Sequence, residues 1–196
     1  MIDFTPTDEQ REAQRTARAF AEREILPRIG ELDAQAQYDR SIYERMGAEG
    51  LLGLPIPERY GGAGMDYIAF ALLCEEMERA DTAFRVILSV HTGLNSLTLL
   101  QWGSEEQKER YLVPQARGEK LATFGLTEPG VGSDAANLST TARRSGDRYI
   151  LNGSKVWISL GDTADHVLAF ATVDKSKGHK GITAFIVERA FPVFAR

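Results

Sequence analysis

Two stretches carry residue types that could do chemistry. The first, Phe124-Gly-Leu-Thr-Glu-Pro-Gly-Val-Gly-Ser-Asp134, gathers three glycines, a proline and the short polar side chains of Thr127, Ser133 and Asp134. Pro129 fixes one φ and removes one donor. Gly130 and Gly132 are expected to take backbone angles closed to other residues and to let a ligand come close to the main chain. A loop with free N–H groups and hydroxyls suits an anionic or carbonyl-bearing ligand, and the same residues also suit a plain structural turn. The second stretch, Lys155-Val-Trp-Ile-Ser159, reads as a strand some thirty residues later and offers an indole and a hydroxyl. Taken singly, Trp157 could be a core residue of a strand, and Thr127 and Ser133 could be loop caps.

The elements that must position these stretches change character near residue 119. Before it the apolar residues recur at helical spacing. Thr7 with Gln10 forms a capping box for a helix over 7–25, carrying Ala13, Ala17, Phe20, Ala21 and Ile25, which Pro27 bends or ends. A short helix follows to about Ala36. Ser41 with Glu44 reads as a second box, opening a helix that ends near Gly50. Residues 51–64, with two prolines and four glycines, form a structured loop. Their glycines lack the preceding strand and the spacing of a dinucleotide fingerprint. Asp66 caps a helix over 67–79 with Ile68, Leu72, Leu73 and Met77 on one face and Glu75, Glu76 and Glu78 mostly on the other. Asp81 or Thr82 starts a helix to about Trp102, with Val86, Val90, Leu94, Leu97 and Leu100 at helical period. Its polar residues Ser89, His91, Thr92, Asn95 and Ser96 are numerous for a buried helix, and His91 reads as an ordinary, partly buried histidine. Ser104 with Gln107 caps the last helix, which Gly118 stops.

From Lys120 the period becomes two. Strands are expected over 120–127, 140–144, 148–151, 154–159, 166–173 and 182–187, with a turn at Ser145-Gly-Asp147 and a hairpin at Asn152-Gly153. The expected fold is therefore α+β and multidomain. An all-α helical domain over 1–118 precedes an antiparallel, barrel-like β domain over 119–196, which reads as incomplete.

The 196 residues carry a net charge of −5 and no basic run, which argues against a general nucleic-acid binder. No apolar run reads as long enough to span a bilayer, and the first residues lack a signal or transit pattern. The single cysteine, Cys74, excludes an internal disulfide and suits a small buried hydrophobe. His166 and His179 have no partner at metal-ligand spacing. A reducing, cytoplasmic setting fits these features, with no membrane association.

In this order the two stretches resemble the acyl-CoA dehydrogenase family. That family's middle domain carries a Thr-Glu-Pro-x-x-Gly-Ser-Asp loop followed by Asn-Gly-x-Lys-x-Trp-Ile-Ser/Thr, and here the second reads Asn152-Gly-Ser-Lys-Val-Trp-Ile-Ser159. The loop from Leu51 to Gly64 and the run from Gly103 to Pro114 are also similar to family sequence, so the resemblance covers nearly the whole chain. It implies removal of two hydrogens from the Cα–Cβ bond of an acyl-CoA thioester, a base taking the α proton and FAD the hydride. By the same resemblance Phe124, Leu126, Thr127, Gly132 and Ser133 touch FAD. Leu126 acts through its backbone, and the Thr127 hydroxyl and amide face the flavin N5/O4 edge. Trp157, Ile158 and Ser159 flank the isoalloxazine, and Ser133 also meets the pantetheine of the acyl-CoA. The helix from Ala83 to Trp102 borders the acyl pocket.

The resemblance further implies a C-terminal helical domain beyond Arg196 that carries the catalytic Glu and most oligomer contacts. These 196 residues are thus expected to be a fragment with no catalytic base of its own. The tail after Glu188 drifts from the family ending, where Gly is common at the place of Val193. Family members are usually homo-oligomers and pass electrons to an electron-transfer flavoprotein. Two other readings stay open: a non-catalytic acyl-CoA or partner-binding module on the same fold, and an acyl-CoA oxidase.

Overall fold

The computed structural model describes residues 5–191, so Val193 lies outside the described residues. The chain divides into two compact units, Met1–Leu121 and Ala122–Arg196.

The helical unit opens with Asp8–Phe20, continued by a wider π-type turn over Ala21–Ile25. The first capping box forms as read from the sequence. Gln10 N donates to Thr7 Oγ1 at 3.2 Å, and Thr7 N donates to Gln10 Oε1 at 2.9 Å. Ile29–Ala34 follows Pro27 as a short helix. The helix Arg40–Ala48 takes a different cap from the expected one. Asp39 Oδ1 accepts from Ser41 N at 2.9 Å and from Ser41 Oγ at 2.7 Å, while Glu44 pairs with Arg40. An ionised acceptor just ahead of Ser41 wins the free N–H.

Asp66 caps Tyr67–Ala80 through Ala69 N at 2.9 Å, and its other oxygen accepts from Gln10 Nε2 at 2.7 Å. That bond ties the starts of two helices whose inner faces then pack together: Ala13, Ala17 and Phe20 against Ala69, Leu73 and Met77. The buried face is rotated from the expected one. Ile68 is 57% exposed and Glu76 is 1% exposed. The Glu76 carboxylate is affordable inside because four donors reach it. Arg18 Nε and Nη2 donate at 2.9 and 2.7 Å, Gln14 Nε2 at 3.0 Å and Arg79 Nε at 3.1 Å.

Thr82–Trp102 is one continuous helix of 21 residues. By length and composition it could cross a bilayer, contrary to the expectation that no run is long enough. Its inner face is half polar: Phe84, Ile87, Leu88 and Leu99 are buried together with His91, Thr92, Asn95 and Ser96. These polar groups are paired. Thr92 Oγ1 donates to Leu52 O at 2.8 Å, and Ser96 Oγ to Gln115 Oε1 at 2.6 Å. Gln115 Nε2 donates to Asn95 Oδ1 at 3.1 Å. The carbonyl of Gln115 can only accept, so His91 Nε2 carries the proton in their 3.1 Å bond. The stretch Leu88–Ser96 is wound as π-helix, and Ser96 Oγ reaches back five residues to His91 O at 2.9 Å. The apolar series expected inside lies nearer the surface, with Leu94 43% exposed. Hydrogen bonding, not hydrophobicity alone, sets which face of this helix is buried.

Among the described residues the β unit has five strands: β1 Ala122–Gly125, β2 Thr141–Ser145, β3 Arg148–Asn152, β4 His166–Thr172 and β5 Ile182–Glu188. β4 is central. It pairs antiparallel with β5 along its whole length, from His166↔Glu188 to Thr172↔Ile182. Its other side pairs parallel with β1, from Ala122↔His166 to Gly125↔Ala169, and then with β2 at Thr141↔Thr172. β2 and β3 form an antiparallel hairpin closed at Ser145↔Arg148. The sheet is therefore mixed and open, a correction to the antiparallel expectation. β1 finds its partner some forty residues on, beyond the intervening hairpin, and that order of pairing runs parallel.

The hairpin turn is Gly146-Asp147, where Gly146 takes φ +66° as a two-residue loop requires. Asn152-Gly153 is not a turn. Gly153 lies against Thr140, and a Cβ there would sit 2.3 Å from Thr140 Oγ1. Close packing, not reversal of the chain, demands that glycine. Residues 154–159 form no strand either, because Trp157 at φ +60° and Leu160 at φ +63° break the pleat.

The Glu76 cluster has a testable pH signature. Hydrogen bonds from Arg18 hold its carboxyl below the ordinary 4.5, against the opposing effect of burial. A lowered folded pKa contributes stability that is present above the unfolded value and is lost as pH falls through the folded one. Glu76→Gln should lower stability at neutral pH by about 1–3 kcal/mol. It should also shrink the loss of thermal midpoint between neutral and about pH 3, as measured by thermal unfolding of both proteins at both pH values.

Candidate functional site

β1 ends at Gly125, and the chain runs through Leu126 and Thr127 into the loop. Glu128 and Val131 exchange both main-chain bonds, each 3.0 Å, so Pro129 and Gly130 cap a two-residue turn. Proline and a small residue suit such a turn. The segment 155–159 then returns beside the end of β1. Val156 N donates to Thr127 O at 3.0 Å, Lys155 Nζ to Leu126 O at 3.1 Å, and Thr123 Oγ1 to Ser159 O. Leu126 and Thr127 are thereby brought beside the stretch that carries Trp157, Ile158 and Ser159. Phe124 is half-buried, its ring 4.9 Å from that of Phe170. Gly132 and Ser133 lie on the exposed part of the loop.

Trp157 is 91% exposed although it sits at a positive φ. Left-handed backbone costs a bulky residue about 1–2 kcal/mol, and an indole in water returns no burial energy to offset it. Such strain on an exposed aromatic is characteristic of sites that hold a ligand. Gly130 and Gly132 point the same way by a different route from the expected one. Neither takes a positive φ, and a Cβ built on either meets no protein atom within 4 Å. The chain's own conformation does not require glycine there. Their missing side chains leave main chain open to close approach by a large planar or phosphate-bearing group.

The loop is anchored by a carboxylate. Glu128 is 3% exposed. Its Oε1 accepts from Lys155 Nζ at 2.8 Å and from Thr140 N at 2.9 Å, and its Oε2 from Ser139 N at 2.6 Å and Ser139 Oγ at 2.5 Å. Burial alone would raise its pKa, but the bonds from Lys155, Ser139 and Thr140 outweigh it and hold the carboxyl far below the usual carboxylate range. With four donors on about four lone-pair positions, Glu128 has no capacity left to take a substrate proton. Lys155, Ser139 and Thr140 drew no site assignment from the sequence. Lys155 carries two signals in the sequence: it is a fixed position of the Asn-Gly-x-Lys-x-Trp-Ile motif, and it is a cation set between Gly153-Ser154 and the apolar Val156-Trp157-Ile158, where a lone charge would be costly. Among the described residues no group of three or more His, Cys, Asp or Glu could hold a metal ion.

The sequence pattern described as "Acyl-CoA dehydrogenase, N-terminal domain" matches residues 7–119, and "Acyl-CoA dehydrogenase, middle domain" matches residues 123–195. The chain belongs to the acyl-CoA dehydrogenase family. It is 41% identical over 194 residues to the short-chain specific acyl-CoA dehydrogenase of Clostridium acetobutylicum, covering 99% of this chain and 51% of that protein. A chain solved in work on the electron transferring flavoprotein of Acidaminococcus fermentans superposes with a TM-score of 0.95 at 41% identity, covering 97% of this chain and 50% of that one. Glutaryl-CoA dehydrogenase from Mycobacterium smegmatis in complex with FADH2 superposes with a TM-score of 0.91 at 34% identity, covering 97% and 48%. The chain thus spans about half the length of the relatives it matches.

The strain at Trp157 makes a prediction about stability alone. Trp157→Gly should leave the chain as stable or stabilise it by up to about 1 kcal/mol, measured by urea unfolding. Leu160→Gly relieves a similar φ but removes a buried side chain, worth about 1.5–3 kcal/mol, and should destabilise.

Proposed function

We propose that this chain supplies the flavin-holding part of an FAD-dependent acyl-CoA dehydrogenase. The reaction converts an acyl-CoA thioester to the trans-2-enoyl-CoA, with electrons passing to an electron-transfer flavoprotein. Bound FAD would supply the hydride acceptor at the substrate Cβ. The chain's residues do the rest of the positioning. The Thr127 hydroxyl and amide donate toward the N5/O4 edge, where negative charge develops on reduction. Phe124 and Leu126 would also touch the cofactor, Leu126 through its backbone. Trp157, Ile158 and Ser159 flank the ring, and the indole excludes water from one side. Gly132 and Ser133 receive the cofactor's polar part, and Ser133 also meets the pantetheine. The two parts, 1–118 and 119–196, act as two domains of a homo-oligomeric, cytoplasmic enzyme.

The observation that carries this reading is the Val156–Thr127 main-chain bond, which sets an exposed, strained indole beside the end of β1. The relative in complex with FADH2 supports the cofactor, the short-chain specific relative an acyl-CoA of short chain, and the Acidaminococcus chain the electron acceptor. The saturated Glu128 carboxylate leaves the α proton to a base other than Glu128. The same observation favours a second reading, a module that binds acyl-CoA or a partner without turnover.

Titrating the purified chain with FAD, followed by visible absorption, tests the first reading. Bound flavin should appear, and Thr127→Val should weaken it by about three- to tenfold through the loss of one hydrogen bond. Acyl-CoA should not bleach the bound flavin, and turnover by these residues alone would overturn the assignment of the base. Acyl-CoA binding with no flavin at any concentration would favour the second reading.

A further inference from the structure

The two halves of the candidate flavin site are separate in sequence, and one buried ion pair lies between them. Lys155 Nζ bonds both Glu128 Oε1 at 2.8 Å and Leu126 O at 3.1 Å, with only 14% of the lysine side chain and 1% of the glutamate exposed. Each partner sits next to a residue of the proposed site. Glu128 follows Thr127, and Lys155 stands two residues before Trp157. The second carboxylate oxygen is spent on Ser139, where the loop returns to start β2. Three chain segments therefore meet on one carboxylate: the turn at 128–131, the return at 139–140, and the stretch at 155–159.

We propose that Glu128 and Lys155 are a positioning pair that sets the spacing and orientation of Thr127 relative to Trp157, and so the fit of the flavin between them. The inference rests on the flavin reading above. Neither residue touches the ring; both act through neighbours. Three features separate this role from generic stabilisation. Lys155 divides its bonds between a side chain and the Leu126 carbonyl, so it fixes the main chain immediately before Thr127. Ser159 O, beyond Trp157, is independently tied to Thr123 Oγ1, so Lys155 and Thr123 pin the left-handed Trp157 from both sides. And the pair spans elements that the sheet leaves unjoined, because residues 154–159 pair with no strand. Removing one partner leaves the other charge buried and leaves the two segments held only by the Val156–Thr127 main-chain bond and the Thr123–Ser159 bond.

The test uses the full 196-residue chain. Hydrogen exchange without FAD is compared for wild type, Lys155→Met and Glu128→Gln. Both variants should raise exchange together at the amides of 127–133 and 156–160 by at least about tenfold, with the helical unit unchanged. With FAD added, the dissociation constant should rise by about tenfold or more in both variants. A control, Val187→Ala in β5, should lower the thermal midpoint and leave the exchange of those two segments and the FAD affinity unchanged. Should Lys155→Met fail to fold, Lys155→Gln keeps one donor to Glu128 and should show the same joint response at smaller size. Exchange that rises in only one segment overturns the proposal, as does FAD affinity that falls equally in the Val187→Ala control. A wild-type chain that never binds FAD refutes the flavin reading instead. The exchange data then still decide whether the pair joins the two segments.

Discussion

A carboxylate removed from water costs several kcal/mol unless its lone pairs are occupied, and the β unit depends on how that cost is met at Glu128. A lysine ammonium, a serine hydroxyl and two main-chain amides converge on it. Those four donors come from residues 11 to 27 positions away, so the loop can hold its shape only when β2 and the segment after β3 are in place. The loop is thus a product of the folded unit and not a local turn, although its Pro129-Gly130 tip is one. The same saturation separates structure from chemistry. A carboxylate with every acceptor site filled, held ionised far below its ordinary range, anchors well and abstracts protons poorly.

The helical unit uses a related device. Glu76 is buried under Arg18, Arg79 and Gln14, and the Thr82–Trp102 helix turns His91, Thr92, Asn95 and Ser96 inward to meet Gln115 and Leu52 O. Buried polar groups are tolerated when each has a partner, and they then fix one arrangement more strictly than apolar contacts can. The consequence is an outer side of that helix richer in apolar residues than its polar inner side would suggest. The helix takes a π-wound middle over Leu88–Ser96, which re-aims the side chains that a regular helix would rotate elsewhere.

Strain completes the account of the β unit. Trp157 and Leu160 both occupy left-handed backbone, yet one is exposed and the other buried. Burial of Leu160 repays its cost within the unit. Nothing among the described residues repays Trp157, so a residue chosen for stability would be glycine there.

The sequence alone determined the helix-then-sheet order, three helix caps of the helical unit at Thr7, Asp66 and Ser104, the family, and the two motifs that carry the candidate site. These are local or near-local properties: a cap needs partners within three residues, and a motif is read directly. It did not determine which face of the helices at 67–80 and 82–102 is buried, because polar side chains count as outward until a distant partner such as Gln115 or Arg18 is known. Nor did it determine the parallel pairing of β1 with β4, since alternation reports a strand and not its neighbour. Asn152-Gly153 and residues 154–159 match the local patterns of a hairpin turn and a period-two strand, and neither forms. Only the tertiary structure showed that Gly153 yields to Thr140, that two left-handed residues end the pleat, and that Lys155 joins the motifs through Glu128. A buried charge takes its partner from wherever the fold brings one, and sequence distance carries no record of that.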